Sequence, residues 1–204
     1  HNDTIWTLSY PSSNGGTMYL TVGHGIFDGA GTFLGSCQFD TTTTTITEYI
    51  KEQTASQENS VTVIVERQTG YLIGSSDPAV KLFTVQANTT NVIRIDGTNS
   101  ANKRLSAMLK YAQSKFGGKK YSKIRAQQVY TRFYFNGEQN ALNIGSVSDA
   151  YGLDWIVLQA YPMKNFYGLF YNSIIIMVCA TVALLVISLL VSIFVAHIFM
   201  KPIN

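Results

Sequence analysis

Four residues in the first forty carry side chains suited to holding a small ligand: Trp6, Tyr10, Thr21 and Asp40. Asp40 closes a strand-like run, Phe33 to Phe39, and stands just ahead of a segment with helical spacing. A carboxylate at a strand end beside a pocket accepts charge-assisted bonds from an ammonium group. The same residue before a helix is also a good N-cap, and the two roles are compatible. Tyr10 and Trp6 offer aromatic surface, either to line that cavity or to pack near a turn. Thr21 alternates with Tyr19 and Gly23 along a strand pattern and joins the set on that ground.

Other chemistries lack their residues. The histidines at 1, 24 and 197 are scattered, with Cys37 and Cys179 far from them, so no metal set is expected. The glycines around His24 read G-x-G-x-x-x-G inside an alternating strand, which is not the strand-to-helix turn of a phosphate loop. No G-x-S-x-G motif is present. No enzyme is expected within these 204 residues, and no cofactor is expected.

These residues need elements to position them. Tyr19 to Phe27 and Phe33 to Phe39 read as two strands around the turn "DGAGT". Ile46, Tyr49 and Ile50 then fall at helical spacing to about residue 55, with Thr45 and Glu48 as a capping box. Val61 to Glu66 and Tyr71 to Gly74 predict two more strands, and residues 76–100 a connection between modules. Leu105, Met108, Leu109, Ala112 and Phe116 define a second helix, capped by Asn99 or Ser100 and stopped at Gly117-Gly118. Strands are expected at Val129 to Phe135, Leu142 to Val147 and Trp155 to Ala160.

Between Lys164 and Lys201 there is no Asp, Glu, Lys or Arg. Ile174 to Phe199 would span roughly 39 Å as a helix, enough for a hydrocarbon core of about 30 Å. Lys164 and Lys201 flank it evenly, so orientation rests on the sequons at Asn2 and Asn88, expected glycosylation sites, and on an aromatic belt of Tyr161, Phe166, Tyr167, Phe170 and Tyr171. Residues 1 to about 170 are placed outside a plasma membrane, with lipid as a partner of the span. Thr181, Ser188, Ser192 and Ala196 form a stripe of small residues that suits a homodimer, or hydroxyls bonded back to their own helix. Charge is divided: residues 97–137 carry nine Lys or Arg and no acid, residues 1–96 four basic and nine acidic side chains. A basic solvated helix face is the ordinary reading, contact with anionic headgroups or an acidic partner the other. Nucleic acid is not an expected partner outside a membrane.

The passage "SYPSSNGGTMYLTVGHGIFDGAGTFLGSCQFDTTTTTITEYI" resembles the extracellular double Cache sensor domains, two tandem PAS-like modules ahead of a membrane span. "YGLDWIVLQAYPMKNF" resembles the closing strand of the membrane-proximal module, and "KPIN" the start of a HAMP-type coupling segment. The resemblance implies an α+β fold of two PAS-like (Cache) antiparallel-sheet modules, the first truncated at its N-terminus, followed by one transmembrane helix. It divides the chain into residues 1–85, the second half of the membrane-distal module; 86–165, the proximal module; 166–200, the interfacial segment and span; and 201–204, a cytoplasmic coupling segment. It implies a receptor whose distal module binds an amino acid, amine or organic acid and whose span moves a histidine kinase, chemoreceptor or cyclase output, a kinase or cyclase domain being left to the full-length protein. Tyr10 and Asp40 match the family's turn Tyr and strand-ending acid. Ser12 stands where amino-acid-sensing members carry a second Asp, which weakens the case for an amine. Cache-like modules also resemble parts of calcium-channel auxiliary subunits, so an accessory subunit that binds a partner protein is the alternative.

Overall fold

A computed structural model describes residues 4–13, 16–86, 91–124 and 128–200, without the side chains of residues 166 and 169. Asn2, Asn88, Arg125, the segment 201–204 and the side chain of Phe166 lie outside the described residues. The fold is α+β and divides into two compact units, one over residues 1–162 that holds the antiparallel sheets and one over residues 163–204 that holds a single long apolar helix, Met163–Phe199.

The first sheet is built on β3 (Met18–Phe27). β1 (Thr4–Trp6) and β2 (Tyr10–Pro11) share one of its edges, and β4 (Phe33–Thr42) runs along the other. The β3–β4 turn closes on Asp28, whose Oδ1 accepts from the amides of Ala30 and Thr32, while Gly31 at φ 83° supplies the left-handed step. The backbone bond network around Thr32, with those side-chain bonds, holds the Asp28 carboxyl below the ordinary aspartate value. This turn aligns Thr21 with Asp40 and Tyr19 with Thr42 across the ladder.

α1 (Thr43–Thr54) follows β4 directly. Its N-cap is Thr42, whose hydroxyl accepts from the Thr45 amide at 3.1 Å. The Thr45–Glu48 capping box is therefore corrected: in a run of threonines the helix starts at the first one freed from the strand ladder, not where the box pattern happens to fit.

The second sheet has five strands in the order β6-β5-β11-β10-β9, comprising β5 (Val61–Glu66), β6 (Leu72–Ser75), β9 (Gln128–Phe135), β10 (Glu138–Ser148) and β11 (Asp154–Pro162). Its closing strand sits between the first strand and the hairpin that precedes it, the sheet of a PAS-like module. β7 (Phe83–Val85) and β8 (Val92–Arg94) pair with each other, so the expected connection over 76–100 holds a small ribbon. α2 (Lys103–Phe116) is capped by Asn102, three residues after Asn99, and ends on Gly117 in the left-handed conformation. It lays Leu105, Met108, Leu109 and Ala112 onto Val63, Val65, Ile144, Ile156 and Leu158, all fully buried.

This pairing corrects the division at 85/86. β5 and β6, assigned above to the distal half module, pair with β11 and belong to the second sheet, so a break at residue 85 cuts through one hydrogen-bonded unit. The sheets divide between α1 and β5. The cause is a pairing of strands about ninety residues apart, Trp155 with Glu66 through Ala160 with Val61, which no local pattern announces.

α3 (Met163–Phe199) is the remaining unit, 37 residues long and apolar enough to cross a membrane. Its apolar side chains are exposed on every face, which a helix of a water-soluble core avoids. Thr181, Ser188 and Ser192 each donate back to a carbonyl of their own helix, at 2.8, 3.0 and 2.8 Å.

Candidate functional site

Neighbours across an antiparallel ladder share a face, and successive residues of a strand alternate faces. Tyr19, Thr21 and Gly23 of β3 therefore lie on one face with Thr42, Asp40 and Gln38 of β4, and Tyr10 of β2 joins them opposite Tyr19. Met18 and Leu20 alternate to the other face and are buried. The sequence places a polar and aromatic row on one side of this sheet and apolar anchors on the other.

Within that row three of the four candidate residues meet. Thr21 Oγ1 donates to Asp40 Oδ1 at 2.5 Å and lies 2.6 Å from the Tyr10 hydroxyl. Thr21 has a single hydroxyl proton, which goes to the carboxylate, so Tyr10 is the donor to Thr21. The chain of bonds runs Tyr10 to Thr21 to Asp40. It leaves Asp40 Oδ2 without a partner among the described residues, on an exposed side chain. The Tyr10 and Tyr19 rings lie 6.1 Å apart, tilted by 38°. A carboxylate oxygen beside two aromatic rings suits a cation, through a charge-assisted hydrogen bond and ring-face attraction.

Trp6 is not in this cluster. Its indole Nε1 donates to Asp149 Oδ2 at 2.9 Å, and its ring meets Trp155 edge-on at 6.4 Å. The expectation that Trp6 lines the same cavity is corrected: residue 149 lies in the turn before β11 and takes the indole away from Asp40. The N-cap reading of Asp40 is corrected with it, since Thr42 caps α1.

Glu66 was not singled out above, because an acid at the end of an apolar strand looks like a strand terminus. It is buried, with 3% of its surface exposed. Oε1 accepts from the Ser9 amide at 2.9 Å, and Oε2 from Thr69 Oγ1 at 2.6 Å and Arg94 at 2.7 Å. Three donors, one of them cationic, satisfy a carboxylate that would otherwise be costly to bury. Arg94 in turn lies 4.7 Å above the Tyr71 ring. Beside it, Arg67 pairs with Asp154 at 3.0 Å and donates to Ser146 at 2.6 Å.

Two of the basic residues of 97–137, the exposed Lys119 and the half-buried Arg104, pair with local acids. Lys119 reaches Asp96 at 2.6 Å and Arg104 reaches Glu138 at 3.5 Å. Burial alone would raise the Asp96 carboxyl, but Lys119 and Thr98 outweigh it and hold it below the ordinary value; Asp96 raises Lys119 correspondingly.

An open groove of about 350 Å³ lies elsewhere, between α1 and the outer face of the second sheet. Ile50, Ile64 and Val157 form its floor, with the amides of Gln53, Asn143 and Gln159 along it. None of Trp6, Tyr10, Thr21 or Asp40 touches it. Among the described residues no three His, Cys, Asp or Glu side chains are grouped to hold a metal ion, and Cys37 and Cys179 are both free.

No protein-family model and no curated protein matches the chain. Among solved structures it is similar to the ligand-binding domain of the Pseudomonas fluorescens chemoreceptor CtaA in complex with L-isoleucine, at TM-score 0.49 and 12% identity, over 83% of this chain and 56% of that one. It is similar to the ligand-binding domain of the Pseudomonas aeruginosa chemoreceptor PctB in complex with L-Arg, at TM-score 0.47 and 15% identity, over 83% and 54%. The periplasmic sensory domain of the Campylobacter jejuni chemoreceptor Tlp1 matches at TM-score 0.49 and 14% identity, over 79% and 50%. The chain thus spans about half the length of these sensory domains. The resemblance to Cache-type sensor domains is one of fold, and what this chain binds is argued below from its own residues.

Proposed function

We propose that this chain is the extracellular, ligand-sensing region of a plasma-membrane receptor, anchored by α3, and that the first sheet binds a small molecule carrying an ammonium group at Asp40. The observation that carries this reading is the Tyr10–Thr21–Asp40 chain of bonds on an open sheet face, with one carboxylate oxygen left for a ligand. Tyr19 and Tyr10 give the aromatic wall. Amines and amino acids fit this site; an organic acid would meet the Asp40 charge at close range, so among the expected ligand classes the cationic ones are favoured. The ligand acts on the second sheet, and β11 passes the displacement on. That strand ends at Pro162 and α3 begins at Met163, with no residue between them in the chain. A ligand drives such a change only through its different affinity for the two states, and reversing a 1:99 population needs roughly 5.5 kcal/mol. The output, whether kinase, chemoreceptor or cyclase, belongs to the same proposal, as does assembly as a homodimer through α3.

The test is a thermal-shift screen of the full chain in detergent micelles against amino acids, amines and organic acids. At least one amine should raise the melting temperature, and Asp40→Ala should remove that rise while melting cooperatively by itself. If no amine stabilises the wild-type chain, the amine-sensing reading fails. The groove beside α1, with Tyr130 and Tyr134 each 69% exposed on the same sheet face, supports the alternative of an accessory subunit that docks a partner protein there.

A further inference from the structure

We infer that residues 6–10 form a strap through which the second sheet holds Tyr10 in the candidate site, with Glu66 and Trp6 as its positioning residues. The inference rests on the reading of Tyr10, Thr21 and Asp40 as a ligand site and adds what sets their geometry.

The strap begins where β1 ends. Trp6 is fixed twice on the turn that precedes β11: its amide donates to the Tyr151 carbonyl at 2.8 Å and its indole to Asp149. Thr7 then crosses to β3, its amide donating to Thr21 O at 2.9 Å and its hydroxyl accepting from Thr21 N at 3.1 Å. Ser9 turns back to the second sheet and donates its amide to the buried Glu66. Tyr10 follows immediately and donates to Thr21. In five residues the chain is bonded alternately to the second sheet and to the site, through backbone amides at Trp6, Thr7 and Ser9 and through the side chain at Tyr10.

The anchors are stiff. Glu66 is fixed by Thr69 and Arg94 and sits opposite Trp155 in the β5–β11 ladder. Asp149 accepts from the amides of Tyr151 and Leu153 at 2.8 and 2.9 Å, which locks the turn that the indole grips. The seam between strap and sheet, bounded by Trp6, Leu8, Glu66, Leu153 and Trp155, leaves a cavity of only about 10 Å³, so the strap has little room to move toward the second sheet, while Thr7, Leu8 and Tyr10 face solvent on its outer side. A ligand that draws Tyr10 or Thr21 out of register pulls on Glu66 and on the start of β11. By reciprocity, a displaced β11 resets Tyr10 and changes the site's affinity.

Hydrogen–deuterium exchange of the full chain in lipid nanodiscs tests this with no ligand present, so its result is independent of whether an amine binds. Glu66→Ala should raise amide exchange over residues 7–10 about tenfold, with α2 unchanged, and Glu66→Gln, which keeps the acceptor oxygen, should restore most of the protection. Trp6→Phe removes the indole donor and one fused ring while leaving an aromatic ring at this position; it should raise exchange at residues 149–153 and also at residues 7–10. Asp40→Asn should raise exchange at 149–153 from the other end. The inference is overturned if the effect of Trp6→Phe stops at 149–153, if Asp40→Asn leaves that turn unchanged, or if Glu66→Ala leaves residues 7–10 protected. Should Glu66→Ala unfold the chain, Trp6→Phe and Asp40→Asn decide the matter alone.

Discussion

Thr21 donates its only hydroxyl proton to Asp40 across 2.5 Å, and this one bond sets the direction of every other bond in the cluster. Tyr10 becomes a donor, and the phenol oxygen keeps only acceptor capacity for a ligand ammonium. Thr21 is 5% exposed, so the link between the two exposed ends of the chain is shielded while the ends face water.

The order of donation predicts a non-additive pair. Tyr10→Phe removes a bond whose acceptor exists only while Thr21 carries its hydroxyl. It should lower stability by roughly 0.5–1.5 kcal/mol in the wild-type chain and by close to nothing in a Thr21→Val background. Urea unfolding of the four chains in detergent micelles measures the cycle; equal costs in both backgrounds would show that the two hydroxyls act independently.

The elements that carry this cluster were legible because their signals are local. The turn from Asp28 to Thr32 and the alternation on either side of it fix the β3–β4 register, and the register alone brings Thr21 to Asp40. The uncharged stretch before Lys201 likewise announces α3 by itself. What stayed hidden depends on residues far apart in the chain. Trp6 finds its acceptor 143 positions away, and Ser9 finds Glu66 57 positions away, with nothing in either local pattern to say so. The assignment of β5 and β6 failed for the same reason, since their place is set by β11. The α1 cap was missed on different grounds: five consecutive threonines offer equivalent caps, and the strand ladder chooses among them.

Gly97 is a packing constraint that the sequence does not display. Its φ of 74° is in the left-handed region, and a Cβ there would lie 2.6 Å from Leu109 Cδ1 of α2 and 2.8 Å from Leu72 Cδ1 of β6, both in the core. Gly97→Ala adds overpacking of roughly 1–3 kcal/mol to the backbone cost. It should lower the unfolding midpoint clearly, whereas Gly137→Ala, also at positive φ but in open space, should cost less. Equal midpoints for the two variants would exclude a steric cause.

The Trp6–Asp149 bond should show a defined acid limit. Burial alone would raise the Asp149 carboxyl, but the amides of Leu153 and Tyr151 and the Trp6 indole outweigh it and hold it below the ordinary aspartate value. A depressed carboxyl contributes stability that is present above its unfolded pKa, about 3.9, and is lost as pH falls through the lower folded value. The Trp6 indole N–H resonance should therefore stay fixed from pH 7 to about pH 4 and shift only below that, with Trp155 as the internal comparison. A midpoint at or above the ordinary aspartate value would contradict the bonding described for that turn.

Placement of α3 in a bilayer predicts sensitivity at its middle and tolerance at its end. Val186 lies near the centre of the uncharged stretch and is 51% exposed, so its side chain would face lipid or a second helix. An arginine there costs about 2.5–3.5 kcal/mol on insertion scales, which shifts the insertion equilibrium by about two orders of magnitude. Val186→Arg should shift the chain from the carbonate-resistant membrane fraction toward the soluble or degraded one, while Phe199→Arg, at the boundary, should leave it membrane-bound because its side chain can reach the headgroups. Were Phe199→Arg to release the chain from the membrane fraction as readily as Val186→Arg, this position of the bilayer along α3 would be wrong.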